Sequence, residues 1–200
     1  MAELDTALPE LYVQPGESHV VREPTIMRTV LGSCVGVACM IRRLGVGALC
    51  HPMLPRYPRK PPAGETVEAG RRYVDFAIRD LARQFDSLGA HRDEVEVKLF
   101  GGGDVLLVTN EASRPTVGQM NCEAALRVLQ EESFELVASS LGGVSGVNIQ
   151  FNTGTGEVLL KRLSYPRACG AAADCAPGVV CPYRAACARQ VRAQHHRRHG

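Results

Sequence analysis

Tryptophan is absent from this 200-residue chain, and aromatic residues make up only 5% of it. The core must therefore be filled by Val, Leu, Ile and Ala rather than by large rings. No apolar run approaches the ~18–20 residues of a membrane-spanning helix, so membrane insertion is not expected. Met1 to Val21 has neither a basic start nor an apolar stretch, so it does not read as a secretory leader and a cytoplasmic protein is expected. Charge of one sign is also lacking, with 23 Lys and Arg against 21 Asp and Glu, a net +2. The balance is uneven. From Arg162 to Gly200 seven Arg stand against one acid, Asp174, which makes that stretch +6 and leaves −4 for the rest. A mildly acidic body gives no basis for nucleic-acid binding, and terminal Arg and His are ordinarily solvated.

What is present is ordinary for a globular protein, with 45% apolar and 22% charged residues. The most apolar segment runs from Ile26 to Cys50. It contains LGSCVGVACMI and VGALC around a short turn at Arg42–Gly45, and reads as two buried strands. The Pro-rich stretch that follows, Pro52 to Pro62, suits neither a helix nor a central strand and reads as an exposed loop or lid. Arg71–Leu88 carries Val74, Ala77, Ile78, Leu81 and Phe85 on one helical face, with Gly89 as its stop. Residues 95–100 alternate as a half-buried strand and break at Gly101–Gly103; Val105–Val108 reads as a further short strand. A second helix is expected over Asn121–Glu131, with Cys122, Ala125, Leu126 and Leu129 inward. Strands follow at Phe134–Ala138, Val147–Phe151 and Val158–Lys161. The pattern predicts a single α+β domain of mixed sheets with flanking helices over residues 20–163, a lead-in over 1–19, and a Cys/Arg/His-rich tail over 164–200.

Eight Cys in a reducing compartment read as core, metal-binding or catalytic residues rather than as disulfides. Cys34 follows a turn made by Gly32 and Ser33 and opens an apolar strand; His51 closes the next one. Neighbouring strands lie ~4.8 Å apart, so a thiol and an imidazole placed this way can meet, and a hydrogen-bonded His would favour the reactive thiolate. Backbone N–H groups around Gly32 and Ser33 could face an oxyanion. Taken alone, a Cys beside apolar residues is usually a core filler.

Further motifs add weight. TVLGSCVGV at 29–37 is followed by HPMLP at 51–55, RYVDFAI at 72–78, KLFGGG at 98–103, VGQMN at 117–121, LGGVSG at 141–146 and FNTGTGEVLLK at 151–161. In order and spacing this series resembles the chemoreceptor glutamine deamidase family, CheD, from about Val20 to Lys161. The resemblance implies a cysteine-hydrolase fold shared with a deamidating bacterial toxin. It also implies amide hydrolysis on glutamine side chains of methyl-accepting chemotaxis receptors, with Cys34 as nucleophile, His51 as base and a Thr that orients the His. Thr29 stands just before LGSC and is the expected third residue, with Thr25 close by. No cofactor is implied for catalysis, and docking to a CheC-type phosphatase is. A non-catalytic adaptor with that docking surface is the alternative. The chain departs from the family pattern at Met120, at Val147 and at the third glycine of 101–103.

The tail lies beyond the resemblance. Cys169, Cys175, Cys181 and Cys187 recur every six residues ahead of His195, His196 and His199. Four thiolates suit Zn²⁺ in a structural role, although the usual C-x₂₋₄-C spacing is absent. An iron–sulfur cluster, a redox-labile disulfide and a solvated Ala/Arg-rich tail fit the same residues.

Overall fold

The computed structural model describes residues 8–58, 64–105 and 115–163. The tail cysteines and most of the strand expected at Val105–Val108 lie outside them. The elements run β1 (Glu10–Tyr12), β2 (Ser18–Val21), β3 (Ile26–Leu31), β4 (Val35–Ile41), β5 (Val46–Cys50), α1 (Val67–Gly70), α2 (Val74–Ser87), β6 (Glu96–Gly101), α3 (Val117–Glu131), β7 (Glu135–Leu141), β8 (Val147–Asn152) and β9 (Val158–Arg162). Two mixed sheets form, ordered β1-β3-β8-β9 and β2-β5-β4-β6-β7. The β1/β3 and β6/β7 pairs are parallel and the others antiparallel. The fold is thus a mixed α+β domain, as the element pattern predicts.

The five-stranded sheet is the middle layer. One face of β4 and β5, with Val35, Val37, Cys39, Ile41, Val46, Ala48 and Cys50, packs under α2 and α3. The other face, with Ala38, Met40 and Leu49, packs against Met27, Leu31, Ile149 and Phe151 of the four-stranded sheet. Burial on both faces explains why 35–50 reads as one nearly unbroken apolar run rather than an alternation. Each fully buried Val, Leu or Phe contributes ~1.5–3 kcal/mol, so this double interface is where the fold's cohesion resides.

Three expectations change. The lead-in is part of the domain from Glu10 onward: β1 pairs with β3, β2 with β5, and Val13 is fully buried. The second helix begins at Val117, four residues early, with Thr116 as a capping-box N-cap paired to Gln119. Its inward face carries Gly118, Asn121, Ala124, Ala125, Val128 and Leu129, while Leu126 points outward. The Pro-rich stretch is anchored at its start, since the N–H groups of Met53 and Leu54 donate to Arg72 O and that of Tyr57 to Asp75 Oδ1. Tyr57 also packs against Tyr73 and Phe76. Among the described residues no helix is long and apolar enough to cross a membrane.

Candidate active site

Cys34 and His51 are brought to one face by strand register. Val37 lies opposite Cys50, and the Val35 N–H donates to Pro52 O at 3.3 Å, which carries the ladder one step further. Gly36 is therefore opposite His51, and Cys34 is the diagonal neighbour of His51. Such diagonal positions on an antiparallel pair have Cα atoms ~7–8 Å apart and share a face. That face is the one turned toward the four-stranded sheet, where Cys34 packs at the edge of the inner core. The backbone of His51 is held from its other side: its N–H donates to Glu17 O at 2.9 Å and its carbonyl accepts from Gly16 N at 2.7 Å. Pro52 keeps the preceding residue extended, so the chain cannot curl the imidazole away.

Thr29 completes the set. It is fully buried on β3, and its Oγ1 lies 2.8 Å from His51 Nδ1 and 2.8 Å from the carbonyl of Val13. A hydroxyl has one proton, and the Val13 carbonyl can only accept. The Thr29 proton therefore goes to Val13, and Oγ1 accepts the Nδ1–H of His51. This fixes the imidazole tautomer, with the Nε2 lone pair free to take a proton. Thr25 has no part in it: its hydroxyl donates to Glu23 O. Sequence reasoning missed Val13, because a carbonyl leaves no residue-type signal.

The resting electrostatics differ from the sequence expectation. Burial pushes the Cys34 thiol up and the His51 imidazole down, the latter partly offset by a hydrogen bond with the Val13 backbone. Cys34 Sγ makes no hydrogen bond to His51 in this structure. Both groups are neutral near pH 7, so the resting pair is a thiol beside a base rather than a thiolate–imidazolium pair. Nucleophile and base commonly close to hydrogen-bonding distance only with substrate in place.

The turn Gly32–Cys34 is gripped through its carbonyls. Gly32 O accepts from Gly103 N at 2.8 Å, Cys34 O from Gly102 N at 2.7 Å, and Ser33 O from Asn121 Nδ2 at 2.8 Å. The glycines of 101–103 thus brace the nucleophile turn, beyond the strand break that the sequence suggested. They are needed there: Gly101 and Gly102 have φ of 95° and 66°, and a Cβ on Gly101 would come within 2.3 Å of Cys34 O. Asn121 belongs to the VGQMN motif at 117–121, but nothing in the sequence assigned it a role at the site; its burial marks it. Among the described residues no group of three or more His, Cys, Asp or Glu is placed to hold a metal.

A half-buried thiol, a neutral imidazole with its lone pair free and a hydroxyl fixing that imidazole make up the equipment of nucleophilic acyl transfer. Comparison with known proteins gives this chemistry a family. The model of the CheD chemotactic sensory transduction family matches residues 53–162. A Geobacter sulfurreducens protein named probable chemoreceptor glutamine deamidase CheD 2 is 43% identical over 157 residues, covering 78% of this chain and 92% of that one. Relatives named probable chemoreceptor glutamine deamidase CheD are 38% identical in Trichlorobacter lovleyi (81% and 96% covered) and 37% identical in Oleidesulfovibrio alaskensis (80% and 76% covered). This chain belongs to the CheD family.

Proposed function

We propose that the chain is a chemoreceptor glutamine deamidase that hydrolyses receptor glutamine side chains to glutamate through Cys34, His51 and Thr29. The names of its relatives support the substrate. The observation that carries the chemistry is the committed Thr29 proton, which leaves His51 with a basic Nε2 on the face it shares with Cys34. His51 takes the thiol proton as sulfur adds to the carboxamide carbon. The same proton passes to the nitrogen, ammonia leaves, and a γ-glutamyl thioester remains on Cys34. His51, neutral again, takes a proton from water as the hydroxide adds, and returns it to sulfur as the thiolate leaves. The sum is carboxamide plus water to carboxylic acid plus ammonia, which become carboxylate and ammonium at neutral pH, and thiol, imidazole and water accomplish it. On this reading the domain has the cysteine-hydrolase fold and acts in the cytoplasm.

Ammonia release from a purified receptor cytoplasmic fragment tests the proposal. The wild-type chain should release ammonia in step with glutamate formation, and Cys34→Ser should release none. Equal release by both would remove Cys34 from the reaction.

A further inference from the structure

We propose that Asn121 is a positioning residue that aims the backbone N–H of Cys34 at the oxyanion formed during acyl transfer; this rests on Cys34 being the nucleophile. Asn121 is 0% exposed, in the second turn of α3. Its Nδ2 donates to Ser33 O at 2.8 Å and to Met53 O at 2.9 Å. Both partners can only accept, so the amide nitrogen must face them and both its protons are spent. One bond holds the residue before the nucleophile. The other holds the segment two residues after the base. A single side chain therefore ties together the two loops that carry Cys34 and His51.

The helix comes close enough for this because Gly118, one turn earlier, lies against Gly102. A Cβ on Gly118 would stand 2.5 Å from Gly102 O. The remaining Asn121 atom, Oδ1, is buried without a partner. A buried acceptor left unpaired is a penalty that an apolar side chain of similar size would avoid. The amide makes sense at this position only through its two donated bonds.

Peptide geometry supplies the consequence. In a trans peptide the N–H points opposite to the carbonyl of the preceding residue. Drawing Ser33 O into Asn121 turns the Cys34 N–H the other way. Gly32 O, drawn toward Gly103, turns the Ser33 N–H likewise. Among the described residues neither N–H donates to another residue, and the Cys34 N–H meets only its own thiol. Two adjacent free N–H groups beside a nucleophile form a cradle for a developing oxyanion. The sequence pointed to Gly32 and Ser33 for this role; the proposal assigns it to Ser33 and Cys34, with Gly32 contributing a braced carbonyl.

Two reactions of the same thiol separate this role from simple support. Iodoacetamide alkylates Cys34 by displacement at a tetrahedral carbon, with no oxyanion. p-Nitrophenyl acetate acylates it through a tetrahedral oxyanion: sulfur bonds to the carbonyl carbon, p-nitrophenolate leaves, and the thiol proton goes to His51. Both products are located on Cys34 by peptide mass in the full chain, as wild type, Asn121→Ala and Asn121→Asp. Acylation should fall roughly 10²-fold in the variants, the scale of losing an oxyanion donor, while the rate of alkylation and its pH profile stay unchanged. The inaccessibility of Cys39 and Cys50 to alkylation reports the folded state; if Asn121→Ala exposes them, the isosteric Asn121→Asp carries the test. Unchanged acylation, a parallel fall in both reactions, unfolding of both variants, or a wild-type Cys34 that alkylates but never acylates each overturns the assignment. No receptor enters this experiment, so its outcome is independent of whether receptor glutamines are the substrate.

Discussion

Thr29 accepts a hydrogen bond from His51 at 2.8 Å because its own proton is committed to Val13. This one contact decides which imidazole nitrogen can act as a base. Thr29→Ser keeps the hydroxyl and should keep turnover within about threefold. Thr29→Val has a similar shape but no acceptor, and it strands a buried Nδ1–H at a cost of ~1–3 kcal/mol. Turnover should fall ~10²-fold or more, the range over which positioned acid–base groups act. Steady-state rates on a receptor fragment distinguish the two variants; equal rates in Ser and Val would show that the hydroxyl does not set the tautomer.

Burial raises the Cys34 thiol and lowers the His51 imidazole, and the two directions fix a pH profile. A raised thiol is protonated through neutrality, so alkylation of the resting protein should climb ~tenfold per pH unit from 7 to 9, with no plateau below the ~8.5 of a free thiol. A lowered imidazole stays neutral below its usual ~6.5, so the acid limb of turnover should lie below that value, where His51 gains a proton and can no longer accept one. Alkylation measured by mass against pH decides this. A plateau reached by pH 6 would indicate a resting thiolate–imidazolium pair.

The glycine turn makes a third case. At Gly101 a Cβ would collide with the Cys34 carbonyl, and φ is 95°. Gly101→Ala should cost about 1–3 kcal/mol in urea unfolding and slow Cys34 alkylation, because strain there moves the nucleophile turn. Cys39 and Cys50 are fully buried, and the Cys50 thiol is pushed up to about 12. Neither should react until the domain unfolds.

Much of the fold is legible in the sequence for a physical reason. Strands β4 and β5 announce themselves because a middle layer needs apolar side chains on both faces. Helix α2 announces itself through a one-sided stripe. The site is legible only where chemistry resides in side-chain identity, as at Cys34, His51 and Thr29. Roles carried by the main chain, at Val13, Gly102 and Gly103, leave no mark in residue type. Leu126 was expected inward because hydrophobicity ranks a leucine so, while Asn121 was given no place in the core. The amide goes inward here because two loop carbonyls need donors. The start of the domain was set too late, since β1 is only three residues long and its pairing with β3 is not local.

The last described residues are tied into the four-stranded sheet. Arg162 pairs with Val147, and the Leu163 N–H donates to Gly146 O at 2.8 Å. A chain cut after Leu163 should keep its melting temperature and its Cys34 reactivity, whereas a cut after Glu157 removes β9 and should lose both. If Cys169, Cys175, Cys181 and Cys187 bind Zn²⁺, the full chain purified without chelator should carry about one equivalent, which acid releases as the thiolates gain protons. Elemental analysis of the full and shortened chains checks it; equal zinc in both would place any site elsewhere.

Conversion of receptor glutamines to glutamates by Cys34 leaves a mass signature. Intact-mass measurement of a purified receptor cytoplasmic fragment, before and after incubation with the wild-type chain or Cys34→Ala, tests it most directly. Each conversion exchanges NH₂ for OH and adds about one mass unit, as nucleophilic hydrolysis of a carboxamide requires. Stepwise gains are expected with the wild type, located at glutamine positions by fragmentation, and none with Cys34→Ala. An unshifted fragment after prolonged incubation with folded wild-type chain, or an equal shift with Cys34→Ala, would contradict conversion by Cys34.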